Sequence, residues 1–247
     1  MEIRSLIRND IKYRIALALD ITDPEKFNHI LKMFKGRVGI VKLGISTLYN
    51  LGFEVINLCR EFGYAIFVDV KLNDIPMQAS KAAKAIFSRG VDMVTAHCLG
   101  GPEMLRGIVQ ASKDLVGNSR EGMPLVLGVT ILTSLDDGDL NRLGFRYNAG
   151  HITSNLAVIA GECGLDGIVC AANELIRIRS VIAPGMLTVV PGIRGAADRM
   201  EDQKRTMAPG EAITAGADIL VIGRPILDAE NPLLSLEDIY RQIENSL

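Results

Sequence analysis

Short apolar runs alternate along the chain with longer amphipathic stretches. The runs are rich in β-branched and aliphatic residues and have the length of buried strands, whereas the longer stretches repeat their apolar positions at helical spacing. Eight strands are predicted, at residues 15–19, 39–43, 65–70, 93–96, 125–129, 167–170, 187–190 and 219–222. Helices are predicted between them at residues 24–35, 76–89, 102–113, 153–163, 173–182 and 236–245.

Polar residues mark the starts of two of these helices. Thr22 or Asp23 can cap the first, with Pro24 in the first turn, where the missing N–H costs nothing. Asp74 precedes Pro76 in the same way, so an ordinary helix cap is one interpretation of Asp74.

The order of the elements predicts the fold class. Strands that are apolar on both faces, each followed by a helix, indicate a parallel sheet covered by helices, either as a barrel or as a doubly wound open sheet. Eight such units in 247 residues without a linker favour a single (β/α)₈ TIM barrel over residues 1–247. Residues 1–13 are expected to form an N-terminal helical extension of it. The first crossover lacks a Gly-x-Gly-x-x-Gly turn, which argues against a dinucleotide fold.

Composition narrows the class of partner. Apolar residues make up 48% of the chain, and the formal net charge is -2 with scattered basic residues, so neither nucleic acid nor a membrane is an expected partner. The N-terminal segment has no continuous apolar core of a signal peptide. The four cysteines lack Cys-x-x-Cys spacing, and buried free thiols in a cytoplasmic protein are expected.

The candidate chemistry lies where the predicted strands end, because the active site of a (β/α)₈ barrel is built there. Asp69 and Lys71 are two residues apart and so should point to the same face of a strand, with Lys42 on the neighbouring strand. Two ammonium groups and a carboxylate at one barrel mouth must pair to offset their desolvation. A plain ion pair closing the barrel end remains the alternative interpretation.

The last two strands predict a phosphate site. Gly223 and Arg224 follow the last strand and Gly192 follows the seventh, where many barrels bind phosphate through backbone N–H groups and a helix N-terminus. Arg224 would add a charge-assisted contact, although a structural arginine at the rim is also possible. No metal site is predicted, since His97 next to Cys98 lacks a third ligand and is better explained as a hydrogen-bonded structural histidine.

Several short segments resemble the orotidine 5'-monophosphate decarboxylase family in order and spacing, between about residue 14 and residue 243. The most specific is DVKLNDIP at residues 69–76. The others are LALD (17–20), VKLG (41–44), VTILTS (129–134), PGIR (191–194), DQKR (202–205) and VIGRPI (221–226). The resemblance implies cofactor-independent decarboxylation of orotidine 5'-monophosphate (OMP) to UMP and CO₂, the last step of de novo pyrimidine biosynthesis.

The resemblance also implies roles for individual residues. Lys42, Asp69, Lys71 and Asp74 would form a catalytic charged network in which Lys71 protonates C6 of the pyrimidine and Asp69 lies against the substrate carboxylate. The implied substrate contacts are Asp20, Lys42 and Asp74 to the ribose, Thr133 to the base, Gln203 and Arg224 to the phosphate, and Arg194 and Gly223 beside them. A homodimer is implied, in which Asp74 and Ile75 reach the partner's site and residues 195–203 close over the phosphate.

Departures from the family pattern and two alternative functions accompany the resemblance. Gln78 stands where the family often has a threonine that helps to bind the partner's ribose. The Mg²⁺-dependent 3-keto-L-gulonate 6-phosphate decarboxylases and hexulose phosphate synthases share the Asp-x-Lys-x-x-Asp strand, but Ile75-Pro76, the Thr133 region and residues 202–205 are more similar to the nucleotide enzymes. A non-catalytic nucleotide-binding barrel is the other alternative, against which Lys71 and Asp74 argue.

Overall fold

The eight strands close into one barrel. A computed structural model describes residues 3–116, 122–194 and 207–247. The strands are β1 (Ile15–Ala18), β2 (Ile40–Gly44), β3 (Ala65–Leu72), β4 (Met93–His97), β5 (Leu125–Val129), β6 (Gly167–Val169), β7 (Leu187–Val190) and β8 (Ile219–Ile222). Each pairs in parallel with the next in chain order, and β8 pairs with β1. The predicted (β/α)₈ TIM barrel is confirmed.

Helices connect the strands and cover the barrel. In the described residues they are α1 (Ile3–Asn9), α2 (Pro24–Phe34), α3 (Ile45–Leu51), α4 (Val55–Glu61), α5 (Pro76–Phe87), α6 (Pro102–Val116), α7 (Asp137–Arg142), α8 (Ala149–Glu162), α9 (Leu175–Val181), α10 (Pro209–Thr214), α11 (Arg224–Leu227) and α12 (Pro232–Glu244). No helix among the described residues is long and apolar enough to cross a membrane.

Capping side chains explain where several helices begin. Asp23 caps α2, as predicted, by accepting a hydrogen bond from the N–H of Lys26. Asn148 and Asn231 cap α8 and α12, which therefore begin four residues earlier than the apolar periodicity predicts. The prediction that Asp74 caps α5 is wrong, because the N-cap position is Ile75 and the Asp74 carboxylate accepts only from the adjacent Ile75 N–H at 2.7 Å.

Two apolar clusters hold the layers together. The larger one packs the outer strand faces against the helices, and the smaller one fills the barrel interior with side chains such as Phe67 and Leu127. Ile3 and Ile7 of α1 belong to the interior cluster, and Arg4 pairs with Asp166 in the loop that precedes β6. The N-terminal helix therefore closes the amino-terminal end of the barrel, which leaves the opposite end for a site.

Aspartates secure that closed end at three strand junctions, β3–β4, β5–β6 and β7–β8. Each aspartate stands directly before an even-numbered strand. Its carboxylate accepts a hydrogen bond from a backbone N–H near the start of the preceding odd-numbered strand. The pairs are Asp92 with Ile66, Asp166 with Val126, and Asp218 with Thr188. These hydrogen bonds fix the amino-terminal rim of the barrel and therefore the register of the strands that carry the site at the other rim.

Candidate active site

A cavity of about 600 Å³ opens at the carboxyl ends of the strands. This volume suits a ligand of nucleotide size. Its lining contains most of the residues that the sequence singled out, namely Asp20, Lys42, Asp69, Lys71, Thr133, Arg194, Gly223 and Arg224. The strand order therefore brings together, on one surface, residues as far apart in the chain as Asp20 and Arg224.

Four charged side chains form a continuous row across β1, β2 and β3. The Lys42 ammonium lies 3.3 Å from Asp20 Oδ1 and 3.6 Å from Asp69 Oδ2, and the Lys71 ammonium lies 2.9 Å from Asp69 Oδ1. Lys42 is buried, whereas Lys71 is half-buried and reaches the cavity. Asp69 is thus held between two cations that both line the cavity, of which Lys71 is the more exposed.

The surroundings of Asp69 keep its carboxylate ionised. Burial by itself would raise the pKa of Asp69, but the positive charges of Lys42 and Lys71 and hydrogen bonds from Lys71 and Thr95 outweigh it and hold the pKa below its usual range. An ionised Asp69 therefore places a fixed negative charge 2.9 Å from the Lys71 ammonium.

The sequence predicted that regular strand alternation would bring Asp69 and Lys71 together. The structure shows the contact, but regular alternation does not produce it. The register between β3 and β4 shifts between Val68 and Leu72, and Lys71 has φ +48°, in the left-handed region. A β-bulge of this kind turns a side chain away from the pleat and strengthens the local twist. Asp69 and Lys71 are therefore neighbours, as expected, but an irregular backbone directs their side chains into the cavity. The strand β3 also extends two residues beyond its predicted end.

One glycine allows a close approach at the charged row, and another forms a turn in the cavity lining. A Cβ added at Gly44, the last residue of β2, would lie 2.7 Å from Asp20 Oδ1 and 3.5 Å from the Lys42 ammonium. Gly192 turns the chain after β7 with φ +76°. The first leaves room for the Asp20–Lys42 pair, and the second lets Arg194 reach the cavity.

The other side of the cavity carries arginines and backbone at the ends of β7 and β8. Gly223 occupies the N-cap position of α11 and Arg224 begins that short helix, with Pro225 in its first turn. A Cβ at Gly223 would lie 3.2 Å from the Cβ of Ala18, so the backbone passes close to β1. Gln203 and the loop expected to close over the phosphate lie outside the described residues.

Two predicted site residues do not line this cavity. Among the described residues of one chain, Asp74 and Ile75 lie on the exposed surface at the start of α5, with 62% of the Ile75 side chain accessible. Gln78, on the first turn of the same helix, is exposed as well. One chain alone therefore does not join Asp74 to the charged row.

His97 fits the structural interpretation. Its Nδ1 accepts a 3.4 Å hydrogen bond from the N–H of Leu99, and burial, followed by the charge of Lys71, lowers the pKa of His97. The ring is therefore neutral at physiological pH. Within the described ranges, no group of three or more histidine, cysteine or acidic residues could hold a metal ion.

The sequence reasoning missed Thr95. It is fully buried on β4, and its hydroxyl contacts both Asp69 and the backbone of Lys71. A signal was available, because Thr95 is the polar residue inside the apolar run Met93–Ala96 and a buried hydroxyl requires partners.

A closed parallel barrel with a charged cavity at the carboxyl ends of its strands defines the class of (β/α)₈ barrel enzymes. The sequence pattern of the Orotidine 5'-phosphate decarboxylase / HUMPS family matches residues 13–239. The chain belongs to this family.

Individual relatives are similar over almost their whole lengths. The orotidine 5'-phosphate decarboxylase of Carboxydothermus hydrogenoformans is 38% identical, covering 95% of this chain and 97% of its own. That of Syntrophus aciditrophicus is 39% identical over 88% of this chain and 87% of its own. The crystal structure of the orotidine 5'-phosphate decarboxylase from Lactobacillus acidophilus superposes with a TM-score of 0.80 at 32% identity, covering 93% of this chain and 98% of that one.

Proposed function

We propose that this chain decarboxylates orotidine 5'-monophosphate to UMP and CO₂ without a cofactor. The observation that carries the proposal is the Lys71 ammonium, held 2.9 Å from an ionised Asp69 in a cavity whose other side presents Arg194, Gly223 and Arg224. The similarity to orotidine 5'-phosphate decarboxylases over nearly the whole chain supports it.

The chemistry requires a positive charge and a proton at one carbon atom. Breaking the bond between C6 and the carboxylate releases CO₂ and leaves the bonding electron pair at C6. The Lys71 ammonium stabilises that charge and then transfers a proton from Nζ to C6, after which the neutral amine is reprotonated from solvent. The fixed charge at Asp69 pairs with the Lys71 ammonium at 2.9 Å, and it faces the substrate carboxylate that departs.

The remaining lining residues position the nucleotide. Asp20 and Lys42 accept and donate hydrogen bonds to ribose hydroxyls, and Thr133 contacts the base. Arg224 and the Gly223 backbone bind the phosphate, assisted by Arg194. We assign Gln203 to the phosphate on the family resemblance alone, because it lies outside the described residues. Phosphate binding far from C6 supplies energy that orients the reacting atoms.

The Mg²⁺-dependent sugar phosphate reactions are the alternative within reach of the same fold. Both oxygens of Asp69 already face ammonium groups, at 2.9 Å and 3.6 Å, so a divalent cation there would have to overcome two nearby positive charges. The donor set therefore favours the metal-independent reaction.

A substrate comparison tests the proposal. Purified protein is given OMP with EDTA, and separately 3-keto-L-gulonate 6-phosphate or a hexulose phosphate with Mg²⁺. We expect the absorbance of OMP to fall in EDTA and no turnover of the sugar phosphates. Turnover of a sugar phosphate alone would establish the alternative, and tight UMP binding without any turnover would indicate a non-catalytic nucleotide-binding barrel.

We also propose that the active form is a homodimer. Large apolar side chains are exposed in the segments that follow four adjacent strands. They are Ile45 and Tyr49 after β2, Ile75 and Met77 after β3, Leu99 after β4 and Leu132 after β5. Exposed apolar residues that lie close together are typical of a protein interface. In this dimer Asp74 and Ile75 enter the partner's cavity, where Asp74 joins the ribose contacts.

Complementation between two inactive variants tests the shared site. Lys71→Ala damages a subunit's own site, whereas Asp74→Asn damages the partner's site. In a mixed dimer the site of the Asp74→Asn subunit contains an intact Lys71 and an intact Asp74 from its partner. Unfolding and refolding an equal mixture should therefore restore about one quarter of wild-type activity. No recovery from a mixture that is dimeric by sedimentation would place Asp74 in its own subunit's site.

The chain organisation and location are further proposals. Because Ile3 and Ile7 pack into the barrel interior, residues 1–247 are proposed to form one domain with 1–13 as a helical extension, testable as one cooperative thermal transition. The four cysteines are free and buried, which supports a cytoplasmic location testable by cell fractionation.

A further inference from the structure

We infer that Thr95 is a positioning residue that sets the geometry of the Asp69–Lys71 pair. The inference rests on the proposed function, because it assigns Thr95 a part in the same reaction. It is carried by the position of one buried hydroxyl between two groups of the reacting strand.

The hydroxyl of Thr95 joins β4 to β3 at two points. Thr95 Oγ1 accepts the backbone N–H of Lys71 at 2.9 Å and donates its proton to Asp69 Oδ1 at 2.9 Å. That same carboxylate oxygen lies 2.9 Å from the Lys71 ammonium. A single side chain thus holds both the backbone that carries the proton donor and the anion that orients it.

The backbone at Lys71 needs such support. Its φ of +48° is unfavourable for a residue with a Cβ, and the register shift between Val68 and Leu72 removes regular ladder partners from this stretch. The Thr95 hydroxyl accepts the hydrogen bond from the Lys71 N–H in place of the interrupted strand ladder. It therefore stabilises the bulge from which Lys71 projects. Strained backbone at a functional site persists only where its surroundings hold it in place.

The orientation of Asp69 depends on the same hydroxyl. The other oxygen of the carboxylate faces Lys42 at 3.6 Å, which is a loose ionic contact rather than a hydrogen bond. Without the Thr95 hydroxyl, Asp69 Oδ1 would be held by the Lys71 ammonium alone, and the two groups could rotate together. The donor atom would then lose its fixed distance to the reacting carbon, which lowers the rate of proton transfer more than the affinity for substrate.

The test compares three variants of the full-length chain. Thr95→Val keeps the shape but removes the hydroxyl, Thr95→Ser keeps the hydroxyl, and Thr188→Val is the matched control. Thr188 is likewise fully buried, and its hydroxyl donates to Gly216 O at 2.7 Å, but it lies on β7 at the start of that strand, away from the cavity lining.

The expected result is a split between kcat and KM. Thr95→Val should lower kcat for OMP about 10- to 100-fold, as expected for one lost hydrogen bond to a charged group, while KM changes less than about threefold. Thr95→Ser should recover most of kcat. The acid limb of the pH profile of kcat should move to higher pH in Thr95→Val. The reason is that the variant loses one of the hydrogen bonds that lower the pKa of Asp69. Thr188→Val should lower the Tm but leave kcat unchanged.

The outcomes separate this inference from the proposed function. Wild-type protein without OMP turnover would overturn both. Turnover by the wild type with an unchanged kcat in folded Thr95→Val would overturn the role of Thr95 alone, as would an equal loss in the Val and Ser variants. If Thr95→Val does not fold, Thr95→Ala replaces it. Crystal structures provide a readout independent of turnover, with the orientation of the Asp69–Lys71 pair kept in Thr95→Ser and changed in the variant without a hydroxyl.

Discussion

Replacing Asp69 by asparagine tests whether the charged row stabilises the fold as well as the reaction. The substitution keeps the shape and removes the anion that faces Lys42 at 3.6 Å and Lys71 at 2.9 Å. Among the described residues, the exposed Asp20 is then the carboxylate that still contacts the ammonium of Lys42, which is buried at 7% exposure. We therefore expect a loss of stability together with the loss of turnover.

The structure sets the size of the loss. Removing one partner of a buried ion pair costs about 3–5 kcal/mol. The lower end, about 3 kcal/mol, applies here because Asp20 still contacts Lys42 and because Lys71 is partly hydrated. For a chain of this length, that corresponds to a fall in Tm of about 6–12 °C.

The pH dependence of this difference has a definite sign. The folded-state pKa of Asp69 lies below its unfolded value of about 4, so its contribution to stability is fully present above about pH 4 and is lost as the pH falls through the folded value. The gap in Tm between wild type and Asp69→Asn should therefore be constant near neutrality and should shrink in acid.

Thermal unfolding followed by circular dichroism from pH 8 to below pH 4 is the assay. Asp114→Asn is the control, because it removes a carboxylate from an ion pair with Lys84 that is exposed, and its Tm should stay near wild type. Adding Lys42→Met to Asp69→Asn should recover part of the lost Tm by removing the unpaired buried charge. A Tm equal to or above wild type in Asp69→Asn would refute the reasoning.

Three further predictions follow from packing and burial. Gly44→Ala should raise KM for OMP several-fold with a small effect on kcat, because the added Cβ would lie 2.7 Å from Asp20 Oδ1 and displace that carboxylate. Steady-state kinetics measure this, and an unchanged KM would contradict it. Ile7→Ala should lower the free energy of unfolding by about 2–4 kcal/mol and leave kcat unchanged, because Ile7 is fully buried at the closed end of the barrel. Urea unfolding measures this, and an unaltered midpoint would exclude that packing role. Burial raises the pKa of the Cys59 and Cys98 thiols to about 12, so neither should react with Ellman's reagent at pH 8 until the protein unfolds, and rapid reaction of the native protein would count against their burial.

The sequence was sufficient for the barrel because its signals are local. Parallel strands buried on both faces form continuous apolar runs, and their limits were predicted to within two residues. The strand ends then indicated where Lys42, Asp69 and Arg224 would lie, since every parallel strand presents its carboxyl end to the same rim.

The bulge in β3 could not be predicted from such local signals. The sequence around Lys71 has no glycine to mark a left-handed residue, and the backbone is held there by Thr95, which is 24 positions away. Such long-range support leaves no periodic signal in the chain. Asp74 was equally ambiguous, because an aspartate two residues before a proline fits a helix cap as well as an interface, and the backbone around Ile75 excludes only the cap.

The central claim is that Lys71 carries the proton that replaces CO₂ on the substrate. The most direct measurement follows the absorbance of OMP with purified wild type and with Lys71→Ala, in EDTA, at OMP concentrations that saturate both. The account predicts rapid turnover by the wild type and nearly none by a folded variant that still binds UMP. Comparable turnover by Lys71→Ala, or none by folded wild-type protein, would contradict it.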